Sequence, residues 1–233
     1  MLSFIKKHWP LIFIGFILAI ILGLNLHPGK LVLGNDNFSP ELNPKLTVIR
    51  SFFNPAWRDN RVLGIPSDSE QADVWRTLIF WLGSQFLPTW IISQGYLFLT
   101  LVIGVISMGK SVRLLTGDSR TSEFFGSLLY LFSPITIWIY FYPVHLFVAA
   151  YAFTPLVLWM SLRCIHSPTH TNKLLLLLVS LFMGTAALTA TMFITTSLTI
   201  FALTFIHSLT NRHIKTWFIT ILIYLLPHLF WIL

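Results

Sequence analysis

A single cysteine, Cys164, serves the whole chain of 233 residues, which excludes an internal disulfide and any cysteine-rich metal centre. Charge is scarce as well. Asp, Glu, Lys and Arg make up 10% of the residues, where a soluble domain carries about 25%. No Gly-rich phosphate loop of the dinucleotide-binding kind occurs, which argues against a soluble nucleotide-sugar enzyme. Long-period repeats, low-complexity tracts and Cys/His clusters are absent too. The net charge of +7 would suit a nucleic-acid binder, but no basic stripe exists. Lys and Arg sit singly at the edges of apolar runs, so no nucleic-acid partner is expected.

What fills the chain instead is apolar: 55% of the residues are hydrophobic. The fold class this predicts is an all-α polytopic membrane protein of about seven transmembrane helices, its partner the lipid bilayer. Lys6 and Lys7 precede the first run, Leu11–Leu26. That run is longer than a signal-peptide core, and no Ala-x-Ala follows it, so an uncleaved anchor is expected. Six further spans are expected at Trp90–Met108, Phe124–Phe141, Val144–Leu162, Leu174–Ala187, Ala190–His207 and Trp217–Leu233. The stretch Leu174–His207 is divided at Gly184–Thr189, because 34 residues of helix would extend about 51 Å against a core of about 30 Å. Three regions result: 1–27, the first span; 28–88, a large loop; and 89–233, the remaining spans. The chain stops inside the apolar run Leu225–Leu233, so we expect it to be the N-terminal part of a longer protein.

Basic residues give the orientation. Lys6, Lys7, Lys110, Arg113, Arg120, Arg163, Lys173, Arg212 and Lys215 lie on one side, with the acids Asp118 and Glu123. The 28–88 loop holds six basic residues and six acids. The positive-inside rule then puts the N-terminus in the cytoplasm and the loop outside, in a multi-pass plasma-membrane protein.

The loop also concentrates the acids, with Asp36, Glu41, Asp59, Asp68, Glu70 and Asp73 among the eight in the chain. Asn43-Pro44 predicts a helix start, with Asn as cap and Pro at the first position. Leu46, Ile49 and Phe53 then share a face, and Asn54-Pro55 stops the helix. Ser67 and Glu70 have capping-box spacing. Behind them Trp75, Leu78, Ile79, Leu82 and Phe86 recur at three and four residues, as in a helix lying on a membrane surface.

Asp36 is the candidate catalytic residue. It stands just beyond the first span, where a carboxylate can act as general base on an acceptor hydroxyl; an Asx-turn in Asn35-Asp36-Asn37 is the alternative. Glu41 can bind substrate or join Asp36 on a divalent cation, and oxygen ligands with a substrate phosphate suit Mg²⁺ or Mn²⁺. A solvated turn acid is the plainer reading of Glu41. Arg58 and Arg61 are candidate phosphate ligands, or ion-pair partners of Asp59. His145, at an outer helix end, is a candidate substrate contact or a structural histidine. His207 and His213 belong to an inner helix end, and His228 to the last span. Trp138, Tyr140, Tyr151 and their aromatic neighbours read as interfacial belt and packing, with a groove for a polyprenyl tail or a sugar-stacking wall as the lesser reading. Thr195, Thr196 and Thr199 are expected to bond back to helix carbonyls.

Three stretches carry a family resemblance: Asp36-Asn37-Phe38-Ser39-Pro40-Glu41-Leu42-Asn43-Pro44, Trp57 with Arg61-Val62-Leu63-Gly64, and Tyr130-Leu131-Phe132-Ser133-Pro134. With the layout of spans and loop, the chain resembles the GT-C superfamily of membrane glycosyltransferases, nearest in pattern to the mycobacterial arabinofuranosyltransferase D type. The resemblance implies a polyprenyl-phosphate sugar donor, a cell-envelope glycan or lipid acceptor, and Asp36 as the base. Many relatives carry paired adjacent acids, whereas Asp36 is flanked by Asn35 and Asn37, so a partner acid and a metal stay open.

Two other classes compete: a transporter or flippase of lipid-linked sugars, and a non-catalytic scaffold of envelope assembly. Ion-coupled transporters bury ionisable residues at mid-membrane. Between Phe124 and Leu162 there is no Asp, Glu, Lys or Arg, which favours chemistry in the loop.

Overall fold

The computed structural model describes residues 2–32, 42–53, 57–58, 65–66, 74–117, 119–141, 145–184 and 190–229. In chain order its elements are α1 (Leu2–Asn25), α2 (Pro44–Phe53), β1 (Trp57–Arg58), β2 (Ile65–Pro66), α3 (Val74–Gly83) and α4 (Thr89–Leu115). Then follow α5 (Arg120–Leu131), α6 (Pro134–Phe141), α7 (His145–His166), α8 (His170–Phe182), α9 (Ala190–Thr210) and α10 (Ile214–Leu225). Apart from one short antiparallel ladder, in which Trp57 faces Pro66 and Arg58 faces Ile65, the described elements are helical.

Among the described residues four helices are long and apolar enough to cross a membrane, over His8–Asn25, Thr89–Leu115, Phe147–His166 and Thr191–Thr210. A bent pair, α5 with α6, makes a fifth if it counts as one span. Helix α8 and the segment Ile214–His228 are apolar but shorter; the 13 residues of α8 rise about 20 Å, less than a hydrocarbon core. The chain is therefore a multi-helix membrane protein. Helices α8 and α9 are separate, as the length argument requires.

Local chemistry explains several boundaries. Asn43 caps α2, its Oδ1 accepting the Leu46 N–H at 3.0 Å, so this helix starts where Asn-Pro predicts. Ser119 and Thr169 cap α5 and α8 by accepting the N–H groups of Ser122 and Asn172. Thr195, Thr196 and Thr199 donate to the carbonyls of Thr191, Met192 and Thr195 at 2.7–2.8 Å. On α3, Arg76, Thr77 and Phe80 are buried while Ile79 and Leu82 are exposed. The sequence-defined apolar stripe thus lies partly outward, and Trp75 packs its ring 5.2 Å from that of Phe182.

The expected straight span Phe124–Phe141 is broken instead, with α5 and α6 inclined by 50°. Pro134 is the cause. It has no N–H, and its ring clashes with the carbonyl four residues earlier, that of Tyr130. The Tyr130 carbonyl accepts the Ser133 N–H at 3.3 Å and the Thr136 hydroxyl. Pro155 inside α7 frees the Tyr151 carbonyl in the same way, and the Tyr130 hydroxyl donates to it at 3.1 Å. The Tyr151 hydroxyl lies 2.6 Å from Thr136 Oγ1, and the two tyrosine rings stack at 4.9 Å. Side chains thus answer both carbonyls freed by proline, as a water-free surrounding demands.

Small residues set the close packing of α4 on α5. A Cβ on Gly109 would lie 2.2 Å from Ser127 Oγ and 2.7 Å from the Glu123 carbonyl oxygen. The Ser127 hydroxyl donates to the Val105 carbonyl at 3.0 Å. At the foot of this hairpin Glu123, 3% exposed, lies 2.5 Å from Lys110 Nζ and accepts from Arg113 Nη1 at 3.0 Å. The second half of the chain packs around Val157, Leu162, Leu176, Ile200 and Tyr224. At the end where α7 and α9 finish, the Nε2 atoms of His166 and His207 are 2.8 Å apart.

Candidate functional site

Helix α1 ends at Asn25, whose Nδ2 donates to the Ile21 carbonyl at 2.8 Å. The chain then turns through His27-Pro28-Gly29-Lys30, where Gly29 has φ +76°, a conformation glycine adopts without the penalty of a Cβ. Gln94, near the start of α4, holds this turn. Its Oε1 accepts the His27 N–H at 2.9 Å, and its Nε2 donates to the carbonyls of His27 and Lys30 at 2.7 Å each. The neighbouring Ser93 hydroxyl donates to the Val32 carbonyl at 2.8 Å. Two adjacent side chains of α4 therefore fix the path by which the chain leaves α1.

Beside the turn is a cavity of about 460 Å³, walled by Ile21, Leu22, Leu97, Phe98, Leu101 and Leu131. Asn25, His27, Gln94, Thr136 and Tyr140 bring polar side chains to its lining. Phe132 and Ile137 also line it and are 58% and 51% exposed, so the cavity reaches the surface beside the α5–α6 break. Four of its residues, Leu131, Phe132, Thr136 and Ile137, flank the α5–α6 break. Interrupted helical backbone at membrane depth occurs where it is buried in protein or lines a cavity. This break does the latter.

Among the described residues, neither the His27 imidazole nor the Lys30 ammonium has a polar side-chain partner. The one acid among those residues is Glu123, at the opposite end of α4 and engaged by Lys110 and Arg113. The cavity is thus mostly apolar, with five polar side chains in its lining and the His27–Lys30 turn beside it.

The sequence-derived candidates stand apart from this description. Asp36, Glu41 and Arg61 lie outside the described residues. Arg58 in β1 and His145, the first residue of α7, are placed by their backbone alone. The proposed Mg²⁺ or Mn²⁺ ligands Asp36 and Glu41 are therefore not located. Among the described residues no group of three or more His, Cys, Asp or Glu is placed to hold a metal ion.

Gln94, His27 and Thr136 line the cavity and are not singled out by the sequence reading, whereas Tyr140, read there chiefly as belt and packing, lines it too. A signal existed for two of them: Gln94 interrupts an otherwise apolar run, and Thr136 follows Ser133-Pro134. Comparison of the chain with protein-family models, curated proteins and solved structures finds no match in any of the three.

Proposed function

We propose that the chain belongs to a membrane glycosyltransferase of the GT-C kind, carrying seven spans with its N-terminus in the cytoplasm. It moves a sugar from a polyprenyl-phosphate donor to a cell-envelope glycan or lipid acceptor at the outer membrane face. One observation carries the reading: a mostly apolar cavity that reaches the surface beside the α5–α6 break lies next to the segment that leads into the acid-bearing loop. Asp36 follows Val32 by four residues, and a chain of that length spans at most about 14 Å. A carboxylate so tethered can serve a donor whose tail occupies the cavity.

In the proposed reaction Asp36 accepts the proton of the acceptor hydroxyl. The acceptor oxygen bonds to the anomeric carbon while the bond from that carbon to the phosphate oxygen breaks, and polyprenyl phosphate leaves with the electron pair. Arg58 and Arg61 stabilise the charge that develops on the phosphate. Glu41 either assists Asp36 or shares a Mg²⁺ or Mn²⁺ ion with it.

The test is reconstitution of the full-length protein in liposomes with a radiolabelled polyprenyl-phosphate sugar and membrane acceptor. A new glycosidic product supports the transferase. Labelled donor that crosses the bilayer without bond formation would assign a flippase, and neither event, over several donors, would leave a scaffold of envelope assembly.

A further inference from the structure

We propose that His166 and His207 form a site for a transition-metal ion of the Zn²⁺, Ni²⁺ or Cu²⁺ class, which bolts the end of α7 to the end of α9. Neither histidine lines the cavity described above, and the inference does not depend on sugar transfer.

The two side chains stand 41 positions apart in sequence. Their Nε2 atoms nonetheless meet at 2.8 Å, and their ring centres are 4.8 Å apart with the planes inclined by 65°. Two imidazoles on one ion, each at about 2.0–2.1 Å and spaced between a right angle and the tetrahedral angle, put their nitrogens about 2.9–3.4 Å and their ring centres about 4.5–5.2 Å apart. The pair therefore has to open by about half an ångström or less to admit an ion. Both rings are accessible, His166 being exposed and His207 half-buried. The bond between them uses the lone pair of one ring and the proton of the other. Both present a free Nε2 lone pair once the donor ring carries its proton on Nδ1. The Asn211 amide donates to the His207 carbonyl at 2.8 Å and lies 3.4–3.5 Å from the ring nitrogens, so it packs against the His207 ring and restricts its rotation.

The donor chemistry selects the ion. Imidazole nitrogens suit Zn²⁺, Ni²⁺ and Cu²⁺, whereas Mg²⁺ and Ca²⁺ require oxygen ligands. Among the described residues the one carboxylate is that of Glu123, already engaged by Lys110 and Arg113. Arg163 and Arg212 flank the pair in sequence, which disfavours an ion held by charge alone. Two side chains fall short of the three or four that zinc centres take from protein. His213, its ring 6.3 Å from that of His166, does not complete a group of three. Water fills the remaining positions, so the ion exchanges with the medium and the bolt is reversible.

The experiment titrates Zn²⁺ into the purified full-length protein, free of any histidine tag, in a neutral detergent. Wild type should bind one ion more than the double variant His166→Ala/His207→Ala. Each single variant should weaken that ion by at least about tenfold, the smallest loss seen when even an outer-shell partner of a metal is removed, while His213→Ala should keep it. Excess Mg²⁺ should not compete. With Cu²⁺ as the probe, electron paramagnetic resonance should show coupling to two imidazole nitrogens in wild type and to one in His166→Ala. Zn²⁺ should raise the unfolding midpoint of wild type and leave that of each single variant where it was. His166 is exposed, so its replacement opens no core cavity, and the far-UV circular dichroism of His166→Ala should match wild type. Equal Zn²⁺ binding by wild type and the double variant would overturn the proposal. So would competition by Mg²⁺, or a copper spectrum that is the same in wild type and His166→Ala. Binding at the pair that leaves the wild-type midpoint unmoved would refute the bolt. None of these readouts involves sugar transfer, so this inference and the transferase reading fail separately.

Discussion

Tyr130→Phe combined with Pro155→Ala tests how the fold compensates for proline inside the membrane. Tyr130 is 5% exposed, and its hydroxyl donates at 3.1 Å to the Tyr151 carbonyl, which has lost its helical partner to Pro155. Removing the hydroxyl keeps the ring stacked on Tyr151 and leaves that carbonyl unpaired. The loss should be about 1–2 kcal/mol, between the net value of a neutral hydrogen bond and the cost of an orphaned acceptor. In a Pro155→Ala background residue 155 regains an N–H that can bond the same carbonyl. There Tyr130→Phe should cost no more than about 0.5 kcal/mol, giving a coupling of about 1 kcal/mol, within the range measured for contacting pairs. Measurements inside membrane proteins average about 0.6 kcal/mol for such bonds and reach about 1.7, so the effect is resolvable. The assay is reversible unfolding in mixed micelles by SDS, followed by tryptophan fluorescence and far-UV circular dichroism. If the two substitutions add to within about 0.3 kcal/mol, the compensation argument is refuted.

Gly109→Val should destabilise the α4–α5 hairpin by about 1–3 kcal/mol through overpacking, since even a Cβ would lie 2.2 Å from Ser127 Oγ; a variant as stable as wild type in the same assay would show that the helices separate freely. Glu123→Gln should cost about 2–3 kcal/mol, below the roughly 3–5 of a fully buried pair, because Lys110 and Arg113 keep 21% and 25% exposure and can recover water. An unchanged unfolding midpoint would make the cluster dispensable. Cys164 is fully buried, so a Cys164→Ser background allows topology to be read with introduced thiols. A membrane-impermeant maleimide should label Leu42→Cys in intact cells and Asn211→Cys only after permeabilisation, and the opposite pattern would invert the proposed orientation.

How far the sequence shows the structure depends on the range of the interaction involved. The start of α2 at Pro44 was legible because Asn43 caps it through a contact only three residues long. The threonines of α9 were legible for the same reason, since each bonds one turn back. The division between α8 and α9 followed from length alone. The bend at Pro134 was not anticipated, because Phe124–Phe141 is one continuous apolar run and hydropathy does not register a lost N–H. The Ser133-Pro134 pair held that information locally. The clamp by Gln94 lies beyond such reasoning, since it joins residues 64 and 67 positions apart and depends on how α1 meets α4. The candidate base shows the converse: Asp36 stands out by sequence but lies outside the described residues.

The most direct measurement is sugar transfer by the purified full-length protein, comparing wild type, Asp36→Asn and Glu41→Gln with a polyprenyl-phosphate sugar donor and membrane acceptor. Product and released polyprenyl phosphate are quantified together. The account predicts equal amounts of both from wild type, a loss of about 10²–10⁴-fold in Asp36→Asn, the range that general-base catalysis contributes, and a smaller loss in Glu41→Gln. Undiminished transfer by Asp36→Asn would contradict the assignment of the base. Absence of transfer by wild type across several donors would contradict the enzyme itself.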